Sequence, residues 1–434
     1  MFPIEADKLK SVIREVGIAD ITTATIRQIC ALADRLEIEA AEPVVHLEIG
    51  NPGLPSERIG VDAECAALQS GVANKYPNIS GIKPLKDAGS RFLKAFVNID
   101  VPSKCIIPTV GSMQGCFTVM MLLRQRDPVK DTMLFINPGF PAQRHQAKIL
   151  GMNVEAFDLH DFRGDKLEAK LESYLRNGNI TGIIYSNPNN PAWTNLTEQE
   201  LSVIGRLATE YDAIVLEDMA YMGMDFRRDL GVPYQAPYVP TVANYTDNYI
   251  IMLSASKIFS YAGQRIAVVC MSPSVYDRHY DSLEKFYEIS TFGDCYVFGV
   301  LYTASSGTAH SSQYALAAMF DAACDGKLKF VDHSREYGVR CNRVKQMLAD
   351  NGFHIIYDKD GDDKISDGFF FTAGYKNMTG QYLQLELLRY GISAISLGST
   401  GSDQEGLRIC VSMLDSEDKF EAMSNRLRAF ADEH

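Results

Sequence analysis

Short apolar segments alternate with amphipathic segments between about residue 65 and residue 275. Amphipathic segments with apolar positions at helical spacing predict helices at Ser112–Arg124, Pro141–Leu150 and Thr197–Tyr211. Apolar segments between them predict strands at Met133–Ile136, Val154–Phe157, Gly182–Tyr185, Ala213–Leu216, Tyr249–Leu253 and Ile266–Met271. Because strands that are apolar throughout are covered on both faces, the alternation predicts an α/β domain whose mostly parallel sheet lies between helices.

The two ends of the chain show a different pattern. Residues 5–40 are predicted to be helical, and Gly50-Asn-Pro-Gly53 interrupts the pattern. After residue 275, helices are predicted at Ser274–Phe286 and Lys329–Asp350, with strands at Gly368–Ala373 and Leu407–Val411. We therefore expect a large domain over residues 61–320 and a smaller α+β domain, formed by residues 321–434 together with the N-terminal helix and loop of residues 1–60.

Charge and cysteine usage exclude several classes of partner. The 434-residue chain has a formal net charge of −13, which disfavours nucleic acid and anionic membrane surfaces. Its nine cysteines form no C-x-x-C pair, and several lie in apolar segments, so we expect free thiols and no metal site. The N-terminus lacks the pattern of a secretory signal, and no apolar segment is long enough to span a bilayer. The expected location is the cytoplasm.

The segment Ser254-Ala-Ser-Lys257-Ile-Phe-Ser-Tyr-Ala-Gly-Gln-Arg265 follows one predicted strand and precedes another. A lysine at such a strand end points into the cleft where α/β sheets bind ligands. Serine hydroxyls and an arginine nearby are donors suited to a phosphate. An isolated S-x-S-K is also compatible with a solvated lysine in a turn, so the segment has to be judged with the rest of the chain.

Two further polar segments follow predicted strands. Glu217-Asp218-Met-Ala-Tyr221 follows the strand at 213–216, and Ser186-Asn-Pro-Asn-Asn190-Pro191 follows the strand at 182–185. Alone, the first is compatible with a strand end or helix cap, and the second with a turn. Their order along the chain, together with the lysine segment, is more informative than either alone.

The three segments together resemble those of the class I/II aminotransferases, the pyridoxal 5'-phosphate (PLP) enzymes of aspartate-aminotransferase type. Residues 254–265 are similar to the family motif S-x-S-K-x-x-x-x-x-G-x-R. The resemblance implies an aspartate-aminotransferase-like fold and PLP held on Lys257 as a Schiff base. It further implies that Ser254, Ser256 and Arg265 hold the cofactor phosphate, that Asp218 pairs with the pyridine nitrogen, and that Tyr221 and Asn190 bond the ring oxygen. The sequence departs from the family at Ala192-Trp193, where Thr-Gly is usual.

Other segments extend the resemblance over residues 45–412. It implies that the helix start at Gly111, Ser112 and Met113 binds the phosphate, as helix N-termini do, and that Phe140 stacks on the pyridine ring. Gly50, Asn190 and Arg408 are expected to bind the substrate, with Arg408 clamping its α-carboxylate. Tyr76 is expected to reach the phosphate of a neighbouring subunit, which makes the enzyme a homodimer with a shared active site.

The sequence therefore predicts a transaminase that moves an amino group from an L-amino acid to a 2-oxo acid. A PLP-dependent β-lyase on the same fold is the alternative, because the motifs do not separate the two. The sensor domain of a transcription regulator is disfavoured by the acidic chain and by the short segment before Gly50. No arginine lies between Arg278 and Arg335, where a second substrate carboxylate would be bound, so we expect a neutral or aromatic substrate side chain.

Overall fold

A seven-stranded sheet forms the centre of the protein, whose computed structural model describes residues 1–21 and 24–434. All six strands predicted between residues 65 and 275 are confirmed in this sheet. The strands of the described chain are β1 Val45–His46, β2 Ile106–Val110, β3 Thr132–Asn137, β4 Asn153–Asp158, β5 Ile180–Ser186, β6 Ile214–Asp218, β7 Tyr249–Ser254, β8 Ile266–Met271, β9 Phe353–Ile355, β10 Lys359–Asp360, β11 Asp363–Lys364, β12 Phe370–Tyr375, β13 Ile392–Ser393, β14 Ile395–Ser396 and β15 Leu407–Cys410. The order in the central sheet is β2-β8-β7-β6-β5-β3-β4. β3 to β7 run parallel to one another, whereas β8 is antiparallel to both of its neighbours.

Helices cover the sheet. Thr197 caps the helix at Glu198–Glu210 through a reciprocal capping box with Glu200. None of the described helices is both long and apolar enough to cross a lipid bilayer. The helices are α1 Ala6–Glu15, α2 Ile26–Ala40, α3 Arg58–Gln69, α4 Lys83–Val97, α5 Gly111–Gln125, α6 Pro141–Ile149, α7 Lys166–Leu175, α8 Glu198–Glu210, α9 Ala255–Ile258, α10 Pro273–Tyr276, α11 Asp281–Tyr287, α12 Phe292–Asp294, α13 Tyr302–Ser305, α14 His310–Cys324, α15 Phe330–Asp350, α16 Gly380–Arg389 and α17 Glu417–Glu433.

The prediction of one helix over residues 274–286 is wrong. Residues between α10 and α11 bond to the extended segment that follows α11: Tyr280 N–H donates to Ser290 O, and Phe292 N–H donates to Arg278 O. These bonds satisfy backbone groups that a continuous helix would have paired internally. The predicted helical stretch at 5–40 holds α1 and α2, and its residues 22 and 23 lie outside the described chain.

The N-terminal helices pack on the C-terminal part of the chain. Leu32, Leu36 and neighbouring α1 and α2 residues form one apolar cluster with Leu388 and Ile395. β1 pairs in parallel with β13, and β14, β15, β12 and β9 form a four-stranded antiparallel sheet. This arrangement supports a second unit built from both ends of the chain, and the boundaries at residues 60 and 320 stay predictions.

Candidate active site

The polar segments singled out in the sequence follow adjacent strands at one edge of the central sheet. Ser186 at the end of β5 lies opposite Asp218 at the end of β6, and Asp218 lies opposite Met252 near the end of β7. Antiparallel pairing places Val110, at the end of β2, beside Ile266 of β8. The carboxyl ends of parallel strands are where α/β sheets bind ligands, so this edge is the candidate active site.

Lys257 lies on the short helix α9, directly after β7. Ser254 Oγ caps the helix by accepting from Ser256 N–H at 3.2 Å. The Lys257 amine donates to the carbonyl oxygen of Gly50 and lies 5.3 Å from the centre of the Phe369 ring. Burial of the amine, together with the positive charges of Arg408 and Arg265 and against an opposing effect of Cys410, lowers the pKa of Lys257 to about 8. Lys257 is therefore neutral near physiological pH more often than an ordinary lysine.

Gly111 and Arg265 lie close together at the junction between β2 and α5. Gly111 adopts a positive φ of 69° at the first position of α5. A Cβ at this position would overlap the guanidinium of Arg265, and the positive φ itself favours glycine, so glycine suits both the turn and the close approach. Arg265 Nη1 donates to Ala262 O at 2.8 Å, which orients the side chain. A helix N-terminus beside a guanidinium is an arrangement that binds phosphate.

Asp218 is buried at the end of β6. Its Oδ1 accepts from Ala220 N–H at 3.2 Å and its Oδ2 accepts from Gln143 Nε2 at 2.9 Å. Burial raises the pKa of Asp218 to about 6, and the two donated hydrogen bonds oppose that rise. The sequence did not single out Gln143, although it stands three residues after Phe140 on the first turn of α6.

Asn190 and Tyr221 belong to the loops that follow β5 and β6. Asn190 N–H donates to Ser186 Oγ at 3.0 Å, and the Asn190–Pro191 peptide bond is cis. The buried Tyr221 ring lies 5.6 Å from Phe369 and 5.4 Å from Phe370, measured between ring centres. Phe140 is half-buried and directly precedes α6.

Arg408 lies on β15 and is buried from solvent. Its Nη2 donates to the carbonyl oxygen of Glu48, and its guanidinium lies 4.8 Å from the centre of the Phe370 ring. Glu48 is itself fully buried, and its Oε1 lies 2.7 Å from Nδ1 of His46. The backbone from Glu48 to Gly50 therefore contacts both cationic side chains, Arg408 and Lys257. Sequence reasoning found Gly50 and missed Glu48, whose burial depends on how β1 packs.

Tyr76 is placed differently from the other candidates. Its side chain is 93% exposed. Nearby, the ring nitrogen Nδ1 of His310 lies 3.2 Å from Lys75 O. Within one chain, Tyr76 thus stands at the surface and projects away from the packed core.

Comparisons with known proteins agree on one family. The family model "Aminotransferase class I and II" matches residues 42–423. A probable aspartate aminotransferase of Methanocaldococcus jannaschii is 24% identical over 332 residues, covering 76% of this chain and 78% of that protein. The aspartate aminotransferase of Pyrococcus horikoshii is 26% identical over 257 residues, covering 58% of this chain and 61% of that protein. The fold matches that of aspartate aminotransferase from Thermus thermophilus with a TM-score of 0.74, at 18% identity over 94% of this chain and 96% of the other.

Proposed function

The chain belongs to the class I and II aminotransferases, whose cofactor is pyridoxal phosphate, and from that premise we propose that it transfers the amino group of a neutral or aromatic L-amino acid to a 2-oxo acid. The observation that carries the proposal is the amine of Lys257, buried next to two arginines at the sheet edge where Asp218 also lies.

The side chains of this edge fit the chemical groups of the cofactor. The cradle formed by Gly111, Ser112, Met113 and Arg265, with Ser254 and Ser256, suits a phosphate, because a Cβ at Gly111 would fill the space beside the guanidinium. The amine of Lys257 can react with a carbonyl group, and the buried carboxylate of Asp218 can pair with a ring nitrogen. Asn190 and Tyr221 would donate to a ring oxygen, and Phe140 would cover a ring face.

Each side chain would act in a defined way. Pyridoxal phosphate, when bound, supplies an electron sink for charge that develops at the substrate α-carbon. Asp218 would keep a proton on the ring nitrogen, which would strengthen that sink. Lys257 would hold the cofactor and, once the substrate amine displaces it, its free amine would take the proton from the substrate α-carbon as a base and then deliver that proton as an acid. A pKa near 8 suits an amine that has to serve as base and then as acid.

Arg408 and the segment around Gly50 would bind the substrate. A guanidinium holds a carboxylate through two parallel hydrogen bonds, and burial strengthens that interaction. In this structure Arg408 donates to Glu48 O. A substrate carboxylate would replace this acceptor or share the guanidinium with it. Asn190 lies on the loop that follows β5, at the carboxyl edge of the central sheet. The aromatic rings of Phe369, Phe370 and Tyr221 support a substrate with a neutral or aromatic side chain.

We further propose a cytoplasmic homodimer with a shared active site. All nine cysteines are free, and seven of them are buried, which suits a reducing compartment. The exposed Tyr76, together with Phe298 at 53% and Tyr302 at 57% exposure, supports contact with a second copy.

The test is an amino-donor panel. Purified protein loaded with pyridoxal phosphate is incubated with phenylalanine, leucine, methionine, alanine or aspartate, each with and without 2-oxoglutarate. We expect glutamate to form from 2-oxoglutarate, fastest with an apolar or aromatic donor, and Lys257→Ala to lose that rate by orders of magnitude. A parallel incubation with S-methylcysteine and no oxo acid tests the alternative, because release of ammonia and pyruvate from it would identify a lyase. A strong preference for aspartate would reject the proposed substrate class.

A further inference from the structure

Trp193, the only tryptophan of the chain, is fully buried beside the candidate active site. It adopts a positive φ of 63°, a backbone conformation that favours glycine, which is the usual residue of the family at this position. A bulky residue at such a position is strained, and strained residues persist only where the surrounding structure holds them.

The indole ring packs into a space that a second glycine leaves open. A Cβ on Gly368 would overlap the indole ring, so the absence of a side chain at Gly368 makes room for Trp193. On its other sides, the indole meets Tyr221 edge-on at 5.3 Å and Phe370 edge-on at 6.2 Å between ring centres. Edge-to-face packing of this kind fixes the orientation of both rings.

The backbone of Trp193 also closes the loop that carries Asn190. Trp193 N–H donates to Asn189 O at 2.9 Å, and Asn189 N–H donates to Thr194 O at 2.9 Å. Asn190 lies inside this closed loop. The same residue is thus bonded to the loop of Asn190 and packed against the ring of Tyr221.

We propose that Trp193 is a positioning residue. Its indole ring packs against Gly368 and fixes where Asn190 and Tyr221 lie relative to each other. It thereby sets the affinity for the cofactor and the absorbance of the bound cofactor. The proposal rests on the proposed function, in which Asn190 and Tyr221 bond the ring oxygen of pyridoxal phosphate. Trp193 itself touches neither cofactor nor substrate in this account. The Phe370 ring also lies against the guanidinium of Arg408. By packing on Phe370, the indole of Trp193 therefore indirectly supports Arg408, the proposed ligand of the substrate carboxylate.

Three variants separate this role from a general effect on folding. Trp193→Gly removes the ring, and Trp193→Phe retains a smaller one. Gly368→Ala places a methyl group against the indole ring and so displaces the ring without changing Trp193 itself. Among the described residues, no acceptor meets the indole N–H, so Trp193→Phe removes ring area without removing a hydrogen bond. Phe430→Leu, in the apolar cluster of the C-terminal part, is the control for lost stability alone.

The readouts are the dissociation constant of pyridoxal phosphate, the absorbance of the bound cofactor against pH, and tryptophan emission. Loading the wild type should quench emission by energy transfer, because the bound cofactor absorbs where indole emits and the single indole contacts Tyr221, a proposed cofactor ligand. Trp193→Gly and Gly368→Ala should weaken cofactor binding about tenfold and shift the absorbance titration, because the edge-to-face contact with the Tyr221 ring is lost in the first variant and displaced in the second. Trp193→Phe should lie between these variants and the wild type, and Phe430→Leu should match the wild type.

Emission that does not respond to loading would overturn the inference, as would wild-type affinity and absorbance in both Trp193→Gly and Gly368→Ala. An inactive wild type would overturn the proposed function, and the inference with it. An active wild type with unaffected variants would overturn the inference alone.

Discussion

Gln143 Nε2 lies 2.9 Å from Asp218 Oδ2, and both side chains are buried at the carboxyl edge of the sheet. Gln143 supplies the side-chain hydrogen bond that holds the pKa of Asp218 down, against the rise caused by burial. A buried carboxylate with few donors is sensitive to the loss of any one of them. The amide of Gln143 is therefore expected to set the pH range in which Asp218 stays ionised.

Replacing Gln143 with leucine tests this expectation. Without the amide, the pKa of Asp218 should rise above about 6, so the carboxylate protonates at a higher pH. Cofactor binding to the cofactor-free protein should weaken as pH falls through that pKa, and the midpoint should lie higher in Gln143→Leu. At neutral pH we expect binding weaker by about tenfold or more, since a hydrogen bond to a charged group contributes about 1.5–3 kcal/mol.

Binding is measured by absorbance titration of pyridoxal phosphate from pH 5 to pH 9. Gln143→His, which keeps a donor, should restore much of the affinity. Gln199→Leu, an exposed glutamine on α8, is the control. Identical pH midpoints in the wild type and in Gln143→Leu would show that the amide does not influence Asp218.

The pKa of Lys257 makes a second prediction. Only the neutral amine attacks an aldehyde, so the rate at which the cofactor-free protein captures pyridoxal phosphate should rise with pH up to about 8 and level off above it. An ordinary lysine, with a pKa of about 10.4, would keep gaining rate beyond pH 9. Stopped-flow absorbance measures the rate, and Lys257→Ala supplies the background. A rate still climbing tenfold per pH unit above pH 9 would contradict the lowered pKa.

Six of the seven strands of the central sheet were predictable because they are largely apolar. β2 was missed because Pro108 and Thr109 interrupt its apolar pattern. Proline removes a backbone donor and is tolerated at a sheet edge, which is where β2 lies. The break between α10 and α11 was missed because it depends on pairing with residues 290–292, a contact that periodicity within a single segment does not reveal.

The site residues also fall into two groups: those whose location follows from the order of the strands, and those whose location depends on tertiary packing. Lys257, Asp218 and Asn190 lie at or within four residues of the carboxyl ends of β7, β6 and β5, so their common location at one sheet edge follows from the order of the strands. Gln143 and Glu48 meet their partners only through tertiary packing, and no motif marked them. Gly368 shows the limit most clearly, because its role depends on the side chain of Trp193, 175 residues earlier in the sequence.

Arg408→Lys should chiefly raise KM for the amino donor. Lysine keeps the positive charge and loses the two-pronged geometry that matches a carboxylate. We expect KM to rise about tenfold to a hundredfold with a smaller change in kcat, since charged hydrogen bonds contribute about 1.5–3 kcal/mol. Arg389→Lys, on α16 and paired with Glu386, provides a matched control in the same part of the chain. Initial rates across donor concentrations decide the outcome, and an unchanged KM would remove Arg408 from the proposed binding site.

The exposed side chain of Tyr76 allows a test of the shared active site. In the proposed dimer, each Tyr76 hydroxyl bonds the cofactor phosphate of the other subunit, so Tyr76→Phe should weaken cofactor binding about tenfold while leaving the dimer intact. Tyr382→Phe, an exposed tyrosine on α16, should have no effect.

Mixed dimers make the test specific. When Tyr76→Phe chains are mixed with Lys257→Ala chains, each hybrid contains one site that has Lys257 from one chain and Tyr76 from the other. That site should bind pyridoxal phosphate with wild-type affinity, because it lacks neither group. Sedimentation establishes the dimer, and absorbance titration of the purified hybrid measures the affinity. A monomer in sedimentation, or a hybrid no better than the Tyr76→Phe homodimer, would show that each chain builds its site alone.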